Sequence, residues 1–237
     1  MSAISSLYNL EDQERMSPAR NYFAWQNRIV ARELGARVIE VGCGIGNFTQ
    51  TILDREAVLG ADIDPNCVAR YRQRFAGCAN LEARLCDVSS DQFLALREFA
   101  ADSCVALNVL EHIEDDRGVL ARMALVLRSG GVIVLLVPAF ASLYGPIDRN
   151  LGHVRRYTPS SIRSMAEALN LQVSKLRFVN LAGFFGWWMN ARVLKLEAQS
   201  EHQIGIFDRW IVPIASRIEE HINPPLGQSL LAVLKVP

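Results

Sequence analysis

The chain has 237 residues, half of them hydrophobic, and its 25 basic and 25 acidic side chains cancel. That length fits one domain with a full hydrophobic core, and the balanced charge removes the basic footprint that nucleic-acid binding needs. Five cysteines, without a C-x-x-C pair, read as reduced, buried thiols of a cytoplasmic protein rather than as a disulfide or zinc framework.

The first ten residues lack a basic start and an apolar core, so no signal peptide is expected. Ser17-Pro18 looks like a helix cap followed by proline at the first helical position, predicting a helix to about Leu34 that Gly35 stops. Its bulky face of Tyr22, Phe23, Trp25, Ile29 and Val30 suits either packing on a sheet edge or covering a ligand. Arg37 opens a β-branched run, Val38 to Val41, that ends in Gly42, Gly44 and Gly46, and a helix is expected from about Asn47 to Arg55. Strand, glycine turn and helix together place a nucleotide-like ligand at the carboxyl end of a parallel strand. The glycines let the backbone approach that ligand closely. The spacing is not the dinucleotide fingerprint G-x-G-x-x-G, whose third glycine position falls on Asn47, and this counts against a nicotinamide cofactor.

A second strand ends at Asp62-Ile63, 20 residues beyond Gly42, where an acid accepts hydrogen bonds from both ribose hydroxyls in nucleotide-binding α/β folds. Asp64 precedes Pro65 and fits the cap of the next helix, Asn66 to Phe75. Leu81 to Leu85 reads as the third strand, followed by Cys86-Asp87-Val88, and Cys104 to Leu107 as the fourth, followed by Asn108-Val109-Leu110-Glu111-His112. The fifth strand, Val132 to Val137, comes after a helix whose end Ser129-Gly130-Gly131 marks. The uncharged run 130–147 is interrupted by Pro138, Gly145 and Pro146, so it reads as a strand and loop rather than a membrane span. The loop from Pro138 to Tyr157 carries Tyr144, Asp148, His153 and Arg156, which are expected to converge over the reacting group. His153 is its base for neutral pH; the alternative is that His153 and Arg156 only pin the loop.

Thr158-Pro159 caps a helix over 160–169, and Leu171 to Val179 is the sixth strand. The aromatic run Leu181 to Met189 follows, then Arg192, Lys195 and Glu197, then a helical stretch from Ile206 to Ile222 that Pro213 is expected to kink. The seventh strand is Leu230 to Val236. The inserted segment serves as a lid over an apolar pocket, a dimer interface or a lipid-facing surface. The lid is favoured, because Trp and Phe clusters are usually buried in their own chain.

Glu40 to Gly46, E-x-G-x-G-x-G, resembles motif I of the class I methyltransferases that use S-adenosylmethionine. V-L-E-H, ending at His112, resembles a signature of their small-molecule members, and G-H-x-R-R-Y, ending at Tyr157, a segment at the substrate mouth of many bacterial ones. The motifs fall in order over residues 37–138 and beyond. The resemblance implies an α/β fold: a doubly wound, mostly parallel seven-stranded sheet with the last strand antiparallel, helices on both faces and a helical insert before the last strand. It implies one domain over 1–237, with a cover helix at 17–35, a cofactor-binding half at 37–138, a substrate loop at 139–160 and the insert at 181–228. It further implies cofactor contacts from Glu40, Gly42, Gly44, Gly46, Asp62, Ile63, Asp87, Val88 and Asn108, with Asp87 at the adenine amino group, Asn108 near the methionine end, and Glu111 and His112 behind.

No metal is expected. The acceptor is read as a small, partly apolar metabolite methylated at a hydroxyl, with His153 as base and Arg156, Tyr144 and Asp148 around it. N- or C-methylation, including of a lipid-like acceptor, is the alternative, ahead of a non-catalytic cofactor-binding scaffold and a nicotinamide oxidoreductase. A monomer or homodimer is expected, with peripheral lipid contact through 181–196.

Overall fold

The computed structural model describes residues 10–194 and 200–237; Lys195 and Glu197 lie outside the described residues. The chain begins with two helices, α1 (Leu10–Met16) and α2 (Arg20–Val30), where one helix from Ser17 was expected. Ser17 N–H donates back to Gln13 and Glu14, at 3.1 and 3.2 Å, so it closes α1 instead of opening α2. Pro18 has no N–H to continue the ladder. The cap of α2 comes from the far end of the chain. The Asp208 carboxylate accepts from Tyr22 N–H at 2.8 Å and Asn21 N–H at 3.4 Å, the service an N-cap side chain normally provides.

Strand β1 (Arg37–Val41) leads into the glycine turn. The helix expected from Asn47 shrinks to one 3-10 turn, Thr49–Thr51. Side chains compete for its bonds: Thr51 Oγ1 donates to the Phe48 carbonyl at 2.7 Å, Thr49 Oγ1 to Glu40 at 2.5 Å, and Asn47 Nδ2 to the Gln13 carbonyl at 2.9 Å. Then come β2 (Ala57–Asp62), α3 (Pro65–Arg74), β3 (Leu81–Leu85), β4 (Ala101–Leu107), α4 (Asp116–Val126) and β5 (Leu127–Pro138). Asp64 caps α3 as expected, accepting from Asn66 N–H at 2.8 Å. Ser129-Gly130-Gly131 does not end α4. Leu127 already pairs with Ala101 of β4, so the strand claims the residues before the glycines. After β5 lie α5 (Pro146–Asn150), α6 (Pro159–Ala168), capped by Thr158, and β6 (Gln172–Val179).

The insert holds α7 (Leu181–Trp188), α8 (Glu201–Ile206) and α9 (Val212–Glu219), and β7 (Ser229–Lys235) follows it. Pro213 does not kink a single helix. It stands in the first turn of α9, where a missing N–H is tolerated, behind a wider π-type turn at Phe207–Ile211. The insert leaves and returns at one point, because Asn180 Nδ2 donates to Gln228 Oε1 at 2.7 Å and Gln228 N–H to the Asn180 carbonyl at 3.0 Å.

The seven strands run in the order β3-β2-β1-β4-β5-β7-β6, parallel except for the two pairings that β7 makes. This is the doubly wound arrangement anticipated above. Val38 and Ile39 point to opposite faces of β1 and neither is exposed, as a strand covered on both sides requires. The five cysteines are free. No helix among the described residues is long and apolar enough to cross a membrane.

Candidate active site

The strand order reverses between β1 and β4, and the crevice beyond their carboxyl ends is where open α/β sheets take ligands. Gly42, Gly44 and Gly46 all have positive φ there, +67°, +52° and +80°. A Cβ at Gly42 would stand 2.5 Å from Val109, and one at Gly46 2.3 Å from the Phe75 ring, so both positions are glycine for packing. At Gly44 the nearest atoms belong to the flexible Gln13 amide, 2.6 Å away, so this backbone faces only the α1 cover.

Asp62 sits beside that turn. Its carboxylate accepts from Gly44 N–H at 2.8 Å and Asp64 N–H at 2.9 Å. Burial pushes its pKa above the usual range while these bonds pull it back. A carboxylate has about four lone-pair positions, so two remain for ribose hydroxyls. Asp87 accepts from Ser89 N–H at 2.8 Å, pinning the turn after β3. Asp62, Ile63, Asp87 and Val88 thus gather at the ends of β2 and β3, outside the lining of the main cavity. Asp62→Ala is expected to weaken cofactor binding by about 1.5–3 kcal/mol, the scale of hydrogen bonds to a charged group. Calorimetric titration with S-adenosylhomocysteine measures it, and unchanged affinity would remove Asp62 from the cofactor site.

The main cavity, about 550 Å³, lies on the other side of the glycine turn. Glu40, Gly42 and Asn108 form one wall of it, and Met16, Tyr22 and Phe23 from the N-terminal helices form part of its roof. Trp187, Met189, Ile204 and Phe207 line it from the insert. Trp187 is buried, but Phe185, Trp188 and Trp210 are 59%, 45% and 62% exposed, contrary to the expectation of an aromatic cluster buried in its own chain. One face of the insert lines the cavity, and the other carries exposed aromatic side chains among the described residues. Burial pushes the Glu40 carboxyl up to about 8, with Thr49 hydrogen-bonded to it.

The loop after β5 is organised around Asp148, which is fully buried. One oxygen accepts from His153 Nδ1 and Arg156 Nε, each at 2.8 Å; the other accepts from Gly145 N–H at 2.9 Å and Trp187 Nε1 at 3.3 Å. Burial alone would raise the Asp148 pKa, but the His153 and Arg156 contacts hold it below the usual range. Arg156 also donates to the Ala139 carbonyl at 3.0 Å and lies over the Trp187 ring. Tyr144 OH donates to the backbone carbonyl of His153 at 2.7 Å. The four loop residues therefore do not converge as expected. Tyr144 and Asp148 brace the loop from behind, and only His153 and Arg156 line the cavity. His153 is pinned through Nδ1, and its Nε2 lies 4.0 Å from Glu111 Oε1.

Behind the cavity wall, Glu111 is fully buried, and neither carboxylate oxygen has a hydrogen-bond donor among the described residues. Burial raises its pKa to about 8, opposed in part by the nearby Arg156 charge. His112 is hydrogen-bonded to the backbone of Gly152 and Leu151, and burial with the neighbouring His153 lowers its pKa to about 4. Glu111 stands behind the wall as anticipated, whereas His112 lines the cavity; no local pattern announced the unpartnered carboxylate. The roof residues Gln13 and Met16 were missed because α1 was not expected, and Gln26 was missed although its helix was expected there.

Residues 39–133 match the family described as a methyltransferase domain. Over 177 residues the chain is 28% identical to a trans-aconitate 2-methyltransferase of Methylobacterium nodulans, covering 73% of this chain but only 62% of that protein. A SAM-dependent methyltransferase from Archaeoglobus fulgidus shares the fold with a TM-score of 0.61 at 18% identity, over 91% of this chain and 94% of its own. The N-methyltransferase NodS from Bradyrhizobium japonicum, in complex with S-adenosyl-L-homocysteine, does so with a TM-score of 0.54 at 17% identity, over 95% and 87%. Over residues 39–133 the chain is similar to that methyltransferase domain family, and its fold is the one these structures share. The residues fit S-adenosyl-L-methionine: a glycine turn open at Gly44, an acid with spare acceptor capacity at Asp62, and a buried acid at Glu40 beside the cavity.

Proposed function

We propose that the chain methylates a hydroxyl on a small, partly apolar acceptor. The observation that carries this reading is His153, held through Nδ1 by a buried carboxylate and lining an apolar cavity that also reaches Gly42 and Asn108. The bound cofactor supplies a sulfonium whose methyl group is already activated for in-line attack. What the chain adds is position, exclusion of water by the insert, and a base for the acceptor's proton. Asp148 fixes the imidazole so that Nδ1 carries its proton and Nε2 is left to accept another.

Lining from Phe23, Leu107, Ile147, Trp187, Met189 and Phe207 supports an apolar body for the acceptor. The trans-aconitate named for the Methylobacterium relative is a polyanion, whereas Arg156 here is already neutralised by Asp148, so a less charged acceptor fits better. Met189, Ile206 and Ile211 line the cavity and are also exposed, at 44%, 45% and 40%. Phe185, Trp210 and Ile214 of the same insert are exposed apolar side chains too. We read these side chains as resting on lipid, on the cytoplasmic side, and drawing a lipid-like acceptor from it. Incubation with labelled S-adenosylmethionine and either a metabolite or a lipid extract tests the proposal. Label is expected in the organic phase. Label confined to water-soluble products would contradict the apolar acceptor, and no transfer at all would contradict the activity.

A further inference from the structure

We infer that Glu111, His112 and His153 form a site for a divalent transition-metal cation, such as Zn²⁺ or Mn²⁺, at the wall of the cavity. One ligand atom from each residue lies within 4.8 Å of the other two, and His153 Nε2 is 4.0 Å from Glu111 Oε1. Ligands bound at about 2.1 Å to a tetrahedral ion stand about 3.4 Å apart. A contraction of about 1 Å therefore completes the set.

Proximity is joined by three independent features. First, the Glu111 carboxylate is fully buried with both oxygens lacking a donor among the described residues, a costly arrangement unless a cation or proton meets it. Second, the His153 imidazole is held on its outer side by Asp148 at 2.8 Å, and His112 has backbone partners at Gly152 and Leu151. Histidines that bind metals usually hand their other N–H to a carboxylate or carbonyl in this way. Third, Arg156 gives Glu111 no hydrogen bond and acts on it only as a nearby charge, because its Nε is bonded to Asp148 and its Nη1 to the Ala139 carbonyl.

Two imidazoles and one carboxylate beside an open cavity match the three-ligand sites that leave a position for water or substrate. The nitrogen ligands favour a transition metal over Ca²⁺ or Mg²⁺, which prefer oxygen alone. The sequence pointed to no metal, and the cluster argues otherwise. The site goes beyond the proposed reaction and does not depend on it. Nε2 cannot hold a cation and accept a proton at once, so base catalysis by His153 belongs to the metal-free form.

The test uses full-length protein treated with a chelator, then titrated calorimetrically with ZnCl₂ and, in parallel, with CoCl₂ followed by visible absorption. One ion per chain is expected. Glu111→Gln and His112→Ala should each bind it at least about tenfold more weakly, the lower end of the loss seen when even supporting residues of metal sites are changed. Retained binding of S-adenosylhomocysteine shows that each variant is folded, and Glu111→Gln keeps the side chain's shape. No ion bound by the wild type, or equal affinity in the wild type and both variants, overturns the inference. Ion binding without methyl transfer would leave the site standing and remove the proposed activity; methyl transfer by a protein that binds no ion would do the reverse.

Discussion

Asp148→Ala is expected to destabilise the chain by about 3–5 kcal/mol, the range for breaking a buried ion pair from one side. The Arg156 side chain is 1% exposed, and without Asp148 its guanidinium is a buried charge that keeps the Ala139 carbonyl and the Trp187 ring but loses its carboxylate hydrogen bond. The same substitution frees Gly145 N–H at the start of α5, Trp187 Nε1 in the insert and Nδ1 of His153. For a chain of this size each kcal/mol shifts the melting temperature by about 2–4 °C, so differential scanning calorimetry should show a fall of about 6–20 °C. A fall of only a degree or two would mean that the loop and insert do not depend on this carboxylate.

His153→Ala should behave differently. Removing a general base typically lowers the rate about 10²–10⁴-fold. The fold around it should survive, because the loop is pinned there through backbone atoms that alanine keeps. His153 N–H donates to the Asp148 carbonyl at 2.8 Å, and its own carbonyl accepts from Tyr144. Cofactor affinity should also hold, since Gly44, Asp62 and Asp87 make no contact with this side chain. The expected pattern is a large fall in kcat with nearly unchanged S-adenosylhomocysteine binding and melting temperature. If His153 merely anchors the loop, stability falls and kcat follows only as far as folded protein is lost. Steady-state kinetics and a melting curve on the same preparation separate the two.

The parts of this fold that sequence reveals are those decided by neighbours in the chain. The glycine turn, the acid ending β2, the Asp64 cap and the Thr158 cap each depend on a few adjacent residues, and each appears where its pattern places it. Ser17-Pro18 marked a helix boundary correctly but on the wrong side, because the cap that starts α2 is Asp208, 187 residues away from Asn21. The Asn47 helix failed for a related reason: Thr49 and Thr51 spend their hydroxyls on Glu40 and Phe48 rather than supporting helical turns.

The candidate site divides in the same way. His153 and Arg156 were recognisable by residue type, but the part Asp148 plays needs Trp187 of the insert and Gly145 to be brought to it by the fold. Glu111 shows the limit most clearly. Its importance rests on donors that are missing around it, which only the packed structure reveals.

The central claim is that the methyl group moves to an oxygen of an apolar acceptor. The most direct measurement supplies S-adenosylmethionine with a deuterated methyl group, together with lipid extract, and locates the deuterium in the product by mass-spectrometric fragmentation. The account predicts a deuterated methyl on oxygen, formed by the wild type and strongly reduced with His153→Ala. A deuterated methyl on nitrogen or carbon, or equal yields from both proteins, would contradict it.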